Sequence, residues 1–76
     1  MSINKAVVWG QPHCKACNEA KAILASDGWE VEYREVNDSS KEEFMQLFPS
    51  ARSVPQIIMN GTVVGGYMNM LKVLEE

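Results

Sequence analysis

The chain contains two cysteines, Cys14 and Cys17, which stand three positions apart. A disulfide between them would close a ring of four residues, which constrains almost nothing in the unfolded chain. A chain of 76 residues must therefore be held together by its apolar core rather than by a covalent staple. The pair follows an apolar stretch, Ala6–Trp9, and precedes an alanine-rich stretch, Asn18–Ser26. The two cysteines form a Cys-x-x-Cys motif, and the flanking pattern predicts that it lies between a strand and a helix. This arrangement is typical of thiol–disulfide exchange.

Composition narrows the class of protein. The length predicts one domain, residues 1–76, and the apolar fraction of 46% is that of a soluble globular protein. The net charge is −3 and the cations are scattered, so we expect no nucleic-acid partner. No apolar run reaches the ~18 residues of a membrane span, and the N-terminus lacks the apolar segment of a signal peptide. We therefore expect a cytoplasmic protein without a membrane partner, and we expect it to be a monomer. In the cytoplasm, paired cysteines are usually catalytic or metal-binding.

The hydrophobic pattern predicts the element order β-α-β-α-β-β-α. The predicted elements are strand Lys5–Trp9, helix Lys15–Asp27, strand Glu30–Val36, a helix from Ser40 to Pro49, strands Val54–Met59 and Thr62–Val64, and helix Tyr67–Glu75. Gly28 is expected as a left-handed helix C-cap, and Asn60-Gly61 predicts a tight hairpin. The first βαβ unit implies parallel strands with a right-handed crossover. We therefore predict an α/β fold with a four-stranded mixed sheet flanked by helices.

Two finer patterns concern the middle of the chain. Ser40 and Glu43 form a capping-box signature for the second helix, which is expected to turn Phe44, Leu47 and Phe48 inward. The preceding strand alternates, which predicts one buried and one solvated face. The buried face would carry Val31 and Tyr33, and the solvated face Glu30, Glu32 and Arg34.

Four motifs in this order resemble those of the glutaredoxins, a family of the thioredoxin-fold superfamily. They are Cys14-Lys15-Ala16-Cys17, Arg52-Ser53-Val54-Pro55, Asn60-Gly61 and Gly65-Gly66-Tyr67. The resemblance spans nearly the whole chain, and the length is similar to that of short phage-type or ribonucleotide-reductase-associated members. It implies a thioredoxin-like fold and a glutathione-dependent dithiol–disulfide oxidoreductase.

The sequence also departs from the family pattern. The middle of the motif is Lys15-Ala16 rather than Pro-Tyr, and Gln11 stands where a lysine is often found. Met68 and Asn69 replace the acidic pair that often follows the double glycine. These departures concern glutathione binding and leave the dithiol chemistry in place.

The residues themselves support roles for both cysteines. At a helix N-terminus, unpaired N–H groups and the helix dipole favour a thiolate, and Lys15 adds a positive charge, so Cys14 is the expected nucleophile. Cys17 lies one turn further on and is the expected resolving thiol. Two cysteines packed as small apolar residues would be the structural alternative. A zinc site needs about four ligands, whereas this chain offers the two cysteines and His13, so no metal is expected.

The resemblance also implies a substrate site. Pro55 is expected in cis, and the backbone of Val54 would pair with the substrate like an added strand. Gly65 and Gly66 permit positive φ and close backbone approach. The residues implied to receive the γ-glutamyl end of glutathione are Gly66, Tyr67, Met68 and Asn69. Gln11 and Arg52 would hold the glycyl carboxylate, although Arg52 fits a solvated surface charge equally well. Lys15 is also expected among the substrate-binding residues.

Two alternative functions stay open at this point. In one, the protein is a redoxin that a flavoprotein reductase recycles and that donates electrons to ribonucleotide reductase. In the other, it is a glutathione-dependent iron–sulfur carrier, in which two chains each give Cys14 to a bridging cluster. The leading hypothesis is an enzyme that uses glutathione to reduce protein disulfides or glutathione mixed disulfides.

Overall fold

The first strand, β1 (Lys5–Gly10), is apolar on both faces, which is the pattern of a central strand. Ala6 and Val8 are buried on one side, and Trp9 is buried on the other. The computed structural model describes residues 3–51 and 53–75. Its elements are β1 (Lys5–Gly10), α1 (Lys15–Ser26), β2 (Glu30–Glu35), α2 (Lys41–Leu47), β3 (Gln56–Met59), β4 (Thr62–Gly65) and α3 (Tyr67–Glu75).

The strands form one four-stranded sheet in the order β2-β1-β3-β4. β1 runs parallel to β2 and antiparallel to β3, and β3 pairs with β4 in an antiparallel hairpin. This confirms the predicted mixed sheet and the predicted element order. In the register, Trp9 lies opposite Gln56, so Pro55 comes next to the end of β1 from which the chain leads to Cys14.

The two faces of the sheet carry different cores. α1 and α3 cover an aliphatic core, whose buried members are Ala6, Val8, Ala20, Leu24, Ile57, Met59 and Met70. α2 covers a smaller aromatic cluster of Trp9, Phe44 and Phe48. The rings of Trp9 and Phe44 lie 5.7 Å apart and those of Phe44 and Phe48 5.2 Å apart. The aromatic face therefore holds α2 beside the end of the sheet where Cys14 lies.

Gly28 ends α1 and Asn60-Gly61 forms the hairpin turn, as the sequence predicts. Gly28 has φ +88°, its N–H donates to the carbonyl of Ala25, and the N–H of Trp29 donates to that of Leu24. This is a complete Schellman motif. At the hairpin, Asn60 and Gly61 both have positive φ, 51° and 80°, which suits a type I′ turn.

Three predictions for the middle of the chain are wrong. Ser40 makes no side-chain cap, because its hydroxyl donates instead to the carbonyl of Glu35 at 2.7 Å. Glu43 does not complete a capping box, because it accepts two hydrogen bonds from the guanidinium of Arg34. Arg34 is half-buried rather than solvated, since its guanidinium lies 4.5 Å from the ring centroid of Trp9. Leu47 is 37% exposed rather than inward.

No helix within the described ranges is both long enough and apolar enough to cross a membrane.

Candidate active site

Cys14 occupies the N-cap of α1, because the loop Gln11–His13 delivers it to the start of the helix in an extended conformation. Its Sγ accepts a hydrogen bond from the backbone N–H of Cys17 at 3.2 Å. Its carbonyl accepts the first helical bond, from Asn18. The first turn of α1 contains no acidic residue. This sulfur therefore has a backbone N–H donor at the positive end of the helix dipole and no acidic residue in the same helical turn, which favours a thiolate.

Cys17 is fully buried, with 0% of its surface exposed, whereas Cys14 is half-buried. The two cysteines form a disulfide, with their Cα atoms 5.2 Å apart. Gly10 lies directly against Cys17, because a Cβ on Gly10 would be 2.8 Å from both the Cβ and the Sγ of Cys17. Only the first sulfur is thus accessible to a large substrate, and the second is reached from within the protein.

The peptide bond between Val54 and Pro55 is cis, as the resemblance implied. Beside it lies a groove of about 330 Å³, here called the cis-proline groove. The residues that line it are Ala16, Ser53, Val54, Pro55, Gly66, Tyr67, Met68 and Asn69. The structure thus brings together six of the predicted substrate-binding residues, and none of the described lining residues carries a charge.

A second groove, of about 470 Å³, lies against α2 and is here called the α2 groove. Its lining residues are Gln11, Val36, Asn37, Asp38, Lys41, Phe44, Met45, Ala51, Ser53 and Val54. Ser53 and Val54 line both grooves, so the two are adjacent. Gln11, three residues before Cys14, lines the α2 groove, and Ala16, two residues after it, lines the cis-proline groove.

Sequence reasoning missed Lys41, which lines the α2 groove together with Gln11. The signal was weak, because Lys41 is an ordinary exposed cation at the start of a helix and belongs to no motif. Only the packing of α2 across the aromatic face puts it there. Arg52, the cation expected to hold the glycyl carboxylate of glutathione, lies outside the described residues.

The structure does not place Lys15 in either groove. Its side chain is 90% exposed and its Nζ lies 4.0 Å from Glu19 on the next turn of α1. The pairing of residues four apart is expected on a helix surface. Lys15 therefore adds charge near the start of α1 without lining a pocket for substrate.

The turn before α3 differs in detail from the expectation. Gly65 has φ +116°, whereas Gly66 does not have positive φ. A Cβ on Gly65 would meet the amide of Asn69, so that side chain packs against the Gly65 backbone. The carbonyl of Gly66 accepts from the N–H of Met70 at 3.0 Å. The first N–H groups of α3, which begin at Tyr67, therefore have no partner within the helix.

Within the described ranges, no three side chains of histidine, cysteine, aspartate or glutamate converge into a group that could hold a metal ion. His13 is exposed, and its backbone adopts the left-handed conformation, with φ 62°. It is a residue of the loop that leads to Cys14.

Comparisons with known proteins agree with this geometry. The sequence profile of the glutaredoxin family matches residues 6–64. A curated glutaredoxin from Neisseria meningitidis is 37% identical over 68 residues, which are 86% of this chain and 79% of that protein. The structure of reduced Escherichia coli glutaredoxin superposes with a TM-score of 0.76 at 24% identity, covering 93% of each chain. A wheat glutaredoxin gives a TM-score of 0.79 at 20% identity, covering 93% of this chain and 71% of that one.

A dithiol at the start of α1, next to a cis-proline loop on a thioredoxin-like sheet, defines a thiol–disulfide oxidoreductase. The chain belongs to the glutaredoxin family.

Proposed function

We propose that this glutaredoxin uses glutathione to reduce protein disulfides or glutathione mixed disulfides, with Cys14 as the nucleophile and Cys17 as the resolving thiol. The observation that carries the proposal is the contrast between the two sulfurs. The Sγ of Cys14 accepts a backbone N–H at the helix start, while Cys17 is completely buried one turn further on.

The chemistry runs in two exchanges. The Cys14 thiolate attacks one sulfur of the substrate disulfide, forms a mixed disulfide, and releases the other sulfur as a thiolate that takes up a proton. Cys17 then loses its proton and attacks the Sγ of Cys14, which releases the second substrate thiol and leaves the Cys14–Cys17 disulfide. Two glutathione molecules return the pair to the dithiol and become glutathione disulfide. For a glutathione mixed disulfide, Cys14 alone suffices, because a second glutathione can resolve it.

Glutathione offers two carboxylates and one ammonium, and each needs a partner. For the glycyl carboxylate, the α2 groove supplies the cation of Lys41 and the amide of Gln11. Arg52 stays a candidate from the family resemblance. For the γ-glutamyl carboxylate, the free N–H groups of the first turn of α3 form an anion site. Between the two, the backbone of Val54 can pair with the cysteinyl residue.

The ammonium of glutathione is less well served. None of the described residues that line the cis-proline groove carries a carboxylate. Met68 is 66% exposed and Asn69 packs on Gly65, so an amide oxygen is the available acceptor. We therefore propose that glutathione couples to this protein, but more weakly than to relatives that keep the acidic pair.

The deciding experiment compares electron donors. The protein is assayed against a protein disulfide with glutathione, glutathione reductase and NADPH, or with thioredoxin reductase and NADPH. We expect turnover with glutathione. In the glutathione assay, Lys41→Gln should raise the Michaelis constant for glutathione severalfold, since a surface ion pair contributes up to about 1 kcal/mol. The matched control is Lys72→Gln, which removes an exposed cation from the last turn of α3. Equal effects of the two substitutions would count against the proposed glycyl site.

The lack of a charged residue among the described lining of the cis-proline groove also favours a second candidate, a cytoplasmic redoxin recycled by a flavoprotein reductase. Ribonucleotide reductase is then the proposed protein target. Turnover with thioredoxin reductase and none with glutathione would establish this alternative. Anaerobic purification tests the iron–sulfur alternative, because a bridged cluster would colour the protein.

A further inference from the structure

Tyr33 makes contacts that none of the functional motifs explains. It lies on β2 opposite Val8 of β1 and packs at the margin of the aliphatic core. Its hydroxyl donates a hydrogen bond to the backbone carbonyl of Gln11 at 3.1 Å, and the Nζ of Lys21 lies 4.9 Å from the centroid of its ring. The hydroxyl thus ties the Gln11–His13 loop, which leads directly to Cys14, to the neighbouring strand.

The same hydroxyl lies beside the buried sulfur. A Cβ on Gly10 would meet both the Tyr33 hydroxyl and, at 2.8 Å, the Cys17 Sγ. The Tyr33 hydroxyl and the Cys17 side chain therefore occupy the space that a side chain at position 10 would fill, so this position requires glycine. Burial, and to a lesser degree the charge of Glu35, raise the pKa of the Tyr33 phenol, so the hydroxyl remains a donor at neutral pH.

We propose that Tyr33 is a positioning residue for the dithiol, which holds the Gln11 carbonyl and thereby fixes Cys14 at the start of α1 beside Cys17. This inference rests on the proposed function and extends it to a residue that does not touch substrate. The rigid placement matters because the N–H donated to the Cys14 sulfur stabilises the thiolate more than the disulfide, since hydrogen bonds to charged groups are the stronger ones. A looser loop would weaken that bond and lower the stability of the reduced form.

The test is Tyr33→Phe, which removes one oxygen and keeps the ring. We expect Cys14 to react two- to tenfold more slowly with iodoacetamide at pH 7, the factor for one neutral hydrogen bond. The equilibrium with a glutathione redox buffer should shift by a similar factor, which makes the pair more reducing. Lys21→Met is the matched control, because it removes the cation above the same ring and leaves the hydroxyl in place. This control should react like the parent.

A second experiment, in a protein without the Cys17 thiol, tests whether Tyr33 acts on Cys14 through the Gln11 carbonyl. In a Cys17→Ser protein, Tyr33→Phe should still slow the alkylation of Cys14, because the hydroxyl acts through the Gln11 carbonyl. An unchanged rate in that background, or equal effects of Tyr33→Phe and Lys21→Met in the parent, would overturn the proposal. Circular dichroism confirms that each variant is folded. A failure of the proposed function would give a different result. A Cys14→Ser protein would then still reduce disulfides, whatever the effect of Tyr33→Phe.

Discussion

The dithiol end of the site and the α3 end of the cis-proline groove are built differently. At the dithiol end, Cys17 is fully buried and Gly10 leaves no room for a methyl group beside it. At the α3 end, Met68 is 66% exposed, and a Cβ on Gly66 would meet only the Pro55 carbonyl, at 3.7 Å. The dithiol is thus held by close packing, whereas the proposed glutathione site at the α3 end includes exposed side chains that can change without disturbing the fold.

The largest effect is expected at the dithiol end. Cys14→Ser should abolish reduction of protein disulfides and of glutathione mixed disulfides, because a serine hydroxyl does not replace a thiolate nucleophile. The measurement is the NADPH-coupled assay with each substrate. Residual activity with either one would show that the proposed nucleophile is wrong.

Cys17→Ser should remove one of the two activities. Reduction of protein disulfides should be lost, because the mixed disulfide can no longer be resolved from within the protein. Removal of glutathione from a mixed disulfide should persist, since external glutathione can attack Cys14. A folded Cys17→Ser protein that lacks both activities would contradict the division of roles between the two sulfurs.

A pair of glycine substitutions compares the packing of the two ends. Gly10→Ala should lower the free energy of unfolding by about 1–3 kcal/mol, the usual result of overpacking a core. Gly66→Ala should change it by less than about 0.5 kcal/mol, because the added methyl group meets no close atom and φ is not positive. Urea unfolding of both variants checks the comparison. Similar losses at the two glycines would mean that the ends are packed alike.

The smallest effect is expected at the α3 end. Met68→Asp should lower the Michaelis constant for glutathione about fivefold, because a new carboxylate near the exposed rim can pair with the ammonium for up to ~1 kcal/mol. Val63→Asp is the matched control, since Val63 is also an exposed apolar residue, at 51%, and does not line the cis-proline groove. If both substitutions leave the Michaelis constant unchanged, the γ-glutamyl end of glutathione lies elsewhere.

Local sequence signals were reliable where one short segment decides the conformation. Gly28 ends α1 because it reaches positive φ without a Cβ penalty, and Asn60-Gly61 turns the hairpin for the same reason. The Cys-x-x-Cys spacing already put Cys14 at a helix start. By contrast, the capping box at Ser40 failed, because its hydroxyl found a better acceptor on Glu35, a group outside the helix.

The sequence by itself determined the order of the elements, the mixed sheet and the dithiol at the head of α1, because these depend on periodicity, turn residues and motif order. The tertiary structure alone decided which side chains surround that dithiol. Lys41 reaches the α2 groove through the packing of α2, and Tyr33 reaches the Gln11 carbonyl from a strand 22 residues away. Such contacts join segments distant in sequence, and no local pattern encodes the distance between them.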